Sequence, residues 1–346
     1  MKKLWAILCA VLILALLQAL LVPKYMTVTP EGAMISEYYD CAEGNDVIFI
    51  GDCEVYESFS PITLWNEYGI ASFIRGSAQQ TIWQSYYLME ETFRYETPKV
   101  MVFNVLSMKY DTPESTGNPQ RREAYNRMTL DGMRWSDCKW KSILASLTSE
   151  EKEKEAMVTY LFPLLRYHDR WSKLTEEDIV YWLKRDRVTD NGYLMQTGIK
   201  PADEPYLSAP IADYSFGNNS WAYLDKMTAL CKEKGTQLVL IKAPSLYPVW
   251  WWEWDQQISE YAQNHDLLYI NMLEFQQEIG IDWSRDTYDA GLHLNVFGAE
   301  KTAAWFGRIL SEECGVPDRR TDPALTALWE QKTVEYEARK QNTLWS

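Results

Sequence analysis

The chain has 346 residues, with 34 Lys and Arg against 49 Asp and Glu and a formal net charge of −15. Such acidity argues against nucleic acid or an anionic membrane surface as ligand. The richness in Trp and Tyr excludes a disordered chain, and the length fits one large α/β domain or two small ones.

The N-terminus reads as a membrane element. Lys2 and Lys3 precede an apolar run from Leu4 to Val22, broken only by Gln18. That run is long enough to cross a hydrocarbon core of roughly 30 Å as a helix. Positive charge ahead of it predicts a cytoplasmic N-terminus and an extracytoplasmic remainder. A cleaved signal peptide would end in a small-x-small site, which Leu20-Leu21-Val22-Pro23-Lys24 lacks, so residues 1–24 are read as an uncleaved anchor. Residues 25–45 read as a stalk. The first 24 residues hold three lysines and no acid, leaving the remainder at −18.

A strand is predicted at 46–50, closing at Gly51-Asp52-Cys53. Pro61 opens a helix. A second strand, 70–74, runs into Arg75-Gly76-Ser77. Ile82, Tyr86, Met89 and Phe93 have helical spacing within 79–95. Further strands are expected at 99–105, 237–241 and 267–270, with helices at 221–234, 256–265 and 299–313. This alternation predicts a parallel sheet covered on both faces, a three-layer α/β/α fold. Residues 107–220 break the rhythm and are read as an insertion into a domain spanning 46–318, with a helix near 149–161. The tail, 319–346, is expected to lay a polar helix on the surface.

Six cysteines are scattered without metal-ligand spacing, so a structural zinc site is not expected, and nothing selects a disulfide pairing. There are three histidines: His168, His265 and His293.

In an open parallel sheet, ligands sit beyond the carboxyl ends of the strands. Cys53, Gly76 and Asn104 follow or end the first three strands and can share one rim. The loop carrying Asp289 and His293 can fold over the same rim. This is the skeleton of a nucleophile, base and orienter. His293 would accept the Cys53 proton and later return it, Asp289 (or Asp286) would hold the imidazole, and Gly76 with Asn104 would bind the oxyanion. Asp52, His168, Lys242 and Asn295 are the candidate substrate contacts. His265 reads as structural. The aromatic run Tyr247 to Trp252 is expected to pack against the insertion, with a sugar ring or membrane interface as the rival use.

Gly51-Asp52-Cys53 resembles the Gly-Asp-Ser block of SGNH (GDSL-type) hydrolases, and Asp289 to His293 is similar to that family's closing Asp-x-x-His block. Gly76 and Asn104 fall where the family places its oxyanion donors. The combination of Gly76-Ser77-Ala78-Gln79-Gln80 with His293-x-Asn295-x-x-Gly298 resembles the membrane-anchored DltD-like and AlgJ/AlgX-like branch. The departures are a thiol in place of the hydroxyl, one extra residue between Asp289 and His293, and an Asn104 that is not glycine-flanked. The resemblance implies acyl transfer to, or ester hydrolysis on, a cell-envelope glycan or teichoic-acid-like polymer. It implies no metal or organic cofactor, and an integral-membrane acyltransferase as partner. The rival expectation is a catalytically degenerate module of the same fold that binds a polymer or that partner.

Overall fold

The computed structural model describes residues 1–22, 33–41, 44–153, 156–184, 188–202, 206 and 208–344. Five strands form one all-parallel sheet in the order β2-β1-β3-β4-β5. They are β1 (Val47–Gly51), β2 (Ser72–Gly76), β3 (Val100–Asn104), β4 (Gln237–Lys242) and β5 (Leu268–Asn271). The sequence reading placed β2 two residues early. Ile70 and Ala71 are buried, but the chain enters the ladder only at Ser72, which is paired with Val47.

Each strand alternates between two buried faces, as a sheet covered on both sides requires. Phe49, Val102 and Ile241 enter one core with the Pro61–Tyr68 and Val296–Glu312 helices. Ile48, Ile50, Met101 and Leu240 enter the other with the Ile82–Thr92, Asn218–Lys234 and Trp252–Asn264 helices. Insertion residues Leu130, Met133 and Ile143 join that second core, carried on or beside the Pro119–Leu130 and Asp137–Ser146 helices.

Three expectations change. Residues 33–40 of the expected stalk form two short helical turns that bury Met34, Ile35 and Tyr38; 25–32 and 42–43 lie outside the described residues. The helix expected near 149–161 is divided between Ser149–Glu153 and Ala156–Leu161. The tail helix, Pro323–Leu344, drives Trp329 and Tyr336 into the core rather than lying on the surface. Trp329 stacks on Trp65 with ring centroids 5.1 Å apart, so its apolar area helps hold the tail. The six cysteines are free. The aromatic run does pack on the insertion: Trp250 meets Phe216, Trp251 meets Tyr214, and Tyr247 meets Tyr206.

The strand order reverses between β1 and β3, and at such a switch point the two connecting segments diverge and leave a crevice beyond the carboxyl ends. Cys53 follows β1, and Asn104 closes β3.

Candidate active site

Gly51 makes the turn out of β1 possible. A Cβ there would lie 2.6 Å from Val55 Cγ2 and 2.9 Å from Asn104 Cβ, so any side chain would push the following helix off the sheet. Asp52 caps that helix, Cys53–Ser58, by accepting from the Glu54 N–H at 3.2 Å. Cys53 takes the first helical position, where a backbone N–H has no acceptor within the helix. Its thiol is partly buried.

His293 arrives on a loop closed by a bridge between Thr287 and Leu294. Ala290 (φ 67°) and Gly291 (φ 95°) are left-handed, which reverses the chain inside the loop. The reversal takes up the extra residue between the acid and the histidine. Asp289 then reaches His293 twice, accepting from its backbone N–H at 2.8 Å and meeting its Nδ1 at 2.7 Å. Asp286 faces elsewhere: it binds Lys301 at 2.6 Å and the Asp282 N–H at 2.8 Å.

A second carboxylate shares that nitrogen. Glu57 Oε2 stands 3.1 Å from His293 Nδ1, and its Oε1 accepts from the Tyr288 hydroxyl at 2.9 Å. Nδ1 carries one proton and donates it in a hydrogen bond to Asp289; Glu57 Oε2 makes no hydrogen bond and is held by charge alone. Sequence reading missed Glu57. Its signal was the spacing: Cys53 and Glu57 are i and i+4 on one helix and share a face.

His293 Nε2 is buried and has no hydrogen-bond partner among the described residues. Cys53 acts on the imidazole, and with Nδ1 occupied the nitrogen left for it is Nε2. Burial opposes the charge on His293. Asp289, Cys53 and Glu57 together outweigh it and lift the pKa to about 11. Burial also pushes Glu57 up to about 7, against the pull of His293 and Tyr288. The Cys53 thiol is raised, first by burial and then by the charges of Asp52 and Glu57, while His293 pulls it down. Burial thus resists a thiolate at Cys53, while Asp289 and Glu57 favour an imidazolium beside it.

The remaining expected residues divide. Asn104 gives both amide protons away, to Asp52 Oδ1 and Glu54 Oε2, each at 3.0 Å. Its Oδ1 accepts from the Ala243 N–H at 3.0 Å, so it has no donor left for an oxyanion. Lys242 is fully buried against Glu54, at 3.0 and 2.9 Å, and so cannot meet a substrate anion. Neither correction was visible while Glu54 looked like a surface residue. Asp52, Glu54, Asn104 and Lys242 instead form a buried polar plate that ties β1, β3 and β4 together under the nucleophile turn. Burial, with Glu54 next to it, raises Asp52 to about 6.

Asn295 caps the Val296–Glu312 helix and gives its amide protons to Gly198 and Arg285 carbonyls, which leaves none for substrate. His168 is exposed in the insertion, bonded to the Leu165 carbonyl, and joins no residue of the site. His265 stacks on Tyr261 at 3.9 Å. Gly76 lies beside Gly51 in register, and its missing side chain admits Tyr56 from the Cys53 helix.

No protein-family model and no curated protein sequence matches this chain. Among solved structures it is similar to a candidate acylhydrolase from Bacteroides fragilis, at 10% identity and a TM-score of 0.40, covering 81% of this chain and 95% of that one. It is also similar to a gut microbial diltiazem-metabolizing enzyme, at 15% identity and a TM-score of 0.26, covering 76% of this chain and 46% of that one. Neither likeness bears on the chemistry of the site.

Proposed function

We propose that this chain is a membrane-anchored acyl-transfer enzyme of SGNH-hydrolase type, with Cys53 as the nucleophile. What supports the reading is the Asp289–His293 pair at the carboxyl edge of the sheet, with both carboxylates on Nδ1, Nε2 uncommitted, and Cys53 interacting electrostatically with the imidazole.

With the imidazole held protonated by its two carboxylates, the order of proton transfers is the reverse of the one expected from sequence. The Cys53 thiolate, formed by release of its proton to solvent, attacks the acyl carbonyl beside the imidazolium. The tetrahedral adduct expels the alkoxide, which takes a proton from His293 Nε2, giving an alcohol and a Cys53 thioester. Neutral His293 then removes a proton from water or an acceptor hydroxyl. That oxygen attacks the thioester, and the thiolate leaves beside the restored imidazolium. Asp289 and Glu57 favour the imidazolium at both ends of this cycle. Backbone N–H groups at Cys53 and Gly76 are the oxyanion donors that remain once Asn104 is committed elsewhere.

The substrate we assign is an ester on a cell-envelope glycan or teichoic-acid-like polymer, with the domain outside the cell and an integral-membrane acyltransferase as the acyl supplier. O-acetylated envelope polymer tests this. Loss or gain of polymer acetate with the native chain and not with Cys53→Ala supports it; no difference between the two removes it.

A degenerate binding module is the second reading. Its support is the raised Cys53 pKa, which keeps the thiol protonated near neutrality.

A further inference from the structure

The apolar N-terminal helix, Lys2–Leu21, ends against the insertion. Most of its length is exposed, but Leu21 and Val22 are buried. Arg170 donates from Nη1 to the Leu21 carbonyl at 2.6 Å and from Nη2 to Asp178 Oδ1 at 2.9 Å. One guanidinium therefore satisfies an orphan carbonyl at the helix end and ties it to the Glu176–Lys184 helix. The N-terminal helix also packs directly on that helix, on Pro163–Tyr167 and on the His168–Ser172 turn.

The same elements and the residue leading into them carry exposed large apolar side chains. Phe162 is 59% exposed, Trp171 72% and Leu183 71%, accompanied by Leu165, Ile179 and Trp182. Soluble surfaces rarely group so many. Their position relative to the helix end is informative. Twenty residues at about 1.5 Å each span roughly 30 Å, one hydrocarbon core. Segments bolted to the last turn of a spanning helix lie at the lipid–water boundary, where Trp is favoured. Three of the cations on these elements are paired: Arg166 with Glu123, Lys173 with Asp169 and Arg170 with Asp178.

We propose that this face of the insertion, around 162–183, seats in the headgroup and upper acyl region of the leaflet in which the N-terminal helix ends. The proposal rests on reading that helix as a retained anchor. Its occupant is the bilayer itself, engaged through apolar contact, so zwitterionic lipid suffices and salt has little effect. Seating holds the folded domain in a fixed attitude to the membrane rather than swinging on a tether.

The test is fluorine NMR on the full chain, labelled with 5-fluorotryptophan, in phosphatidylcholine nanodiscs. Trp171→Phe and Trp182→Phe assign the two signals; Trp5 reports the anchor and buried Trp83 serves as control. Lipid doxyl-labelled at acyl carbon 5 should broaden Trp171 and Trp182 several-fold, while a soluble gadolinium chelate leaves them sharp. Broadening by gadolinium alone would put the face in water and overturn the proposal. Protection from both agents would mean that protein covers it, a second copy in this preparation, and overturns it equally. If Trp5 also escapes the doxyl lipid, the anchor reading has failed; if Trp5 broadens and the other two do not, the seating alone has failed.

Discussion

Glu57 Oε2 stands 3.1 Å from Nδ1 of His293, the nitrogen that Asp289 already holds at 2.7 Å. One imidazole thus answers to two acids, and only one can accept its Nδ1 hydrogen bond. Both carboxylates favour the imidazolium, which in the mechanism proposed above acts first as an acid.

Glu57→Gln removes one of the charges that raise Cys53 and His293. Both pKa values should fall. The rate of Cys53 alkylation by iodoacetamide, followed by peptide mapping across pH, should show its midpoint moving to lower pH. An unmoved midpoint would show that Glu57 is electrically silent at the site.

Stability should depend on pH through the same residue. Glu57 rises from an ordinary 4.5 to about 7 in the folded chain. A raised carboxyl favours folding when protonated, so its contribution is whole below pH 4.5 and is lost as pH climbs to about 7. His293, raised from 6.5 to about 11, loses its contribution across that higher window. Urea midpoints measured from pH 4 to 7 should therefore fall less steeply for Glu57→Gln than for the native chain.

Asp289 and Asp286 should separate cleanly. Asp289→Ala frees the imidazole and should lower turnover of an activated ester by roughly 10²–10⁴-fold with little loss of folding. Asp286→Asn leaves His293 untouched and removes the ion pair with Lys301, which keeps its bond to the Gly280 carbonyl and its contact with water. The change should cost about 1 kcal/mol in chemical denaturation and little in turnover. Parallel turnover and denaturation assays on both variants check this.

Lys242 is tested as a plate residue by a pair of changes. Lys242→Met leaves Glu54 buried and unpaired and should cost about 3–5 kcal/mol. Adding Glu54→Gln should restore much of that loss, because the stranded charge disappears. A lysine that served only substrate would show neither effect in denaturation.

The sheet was legible because hydrophobic runs and their spacing are local. β1, β3, β4 and β5 each show as a short apolar stretch ahead of a turn. Cys53, Asp289 and His293 were legible because the turn that ends β1 and the loop before the last core helix have recognisable residues. Asn104, Lys242 and Asn295 were misread for one reason. Each sits at a rim position, and whether such a polar side chain faces substrate or a buried partner depends on residues distant in sequence. Glu54 and Glu57 decide the electrostatics, yet in sequence they look like ordinary acids on a solvated helix. The helical insertion gave little signal because its packing faces are short and interrupted by prolines and charges.

The most direct test is to look for the thioester. The native chain is mixed with p-nitrophenyl acetate, quenched in acid and mapped by peptide mass spectrometry. The mechanism predicts acetyl on Cys53, removed by neutral hydroxylamine, and a rate of formation that falls sharply in His293→Ala. Acetyl spread evenly over the accessible cysteines, or equal labelling of Cys53 with and without His293, would contradict a nucleophile at this site.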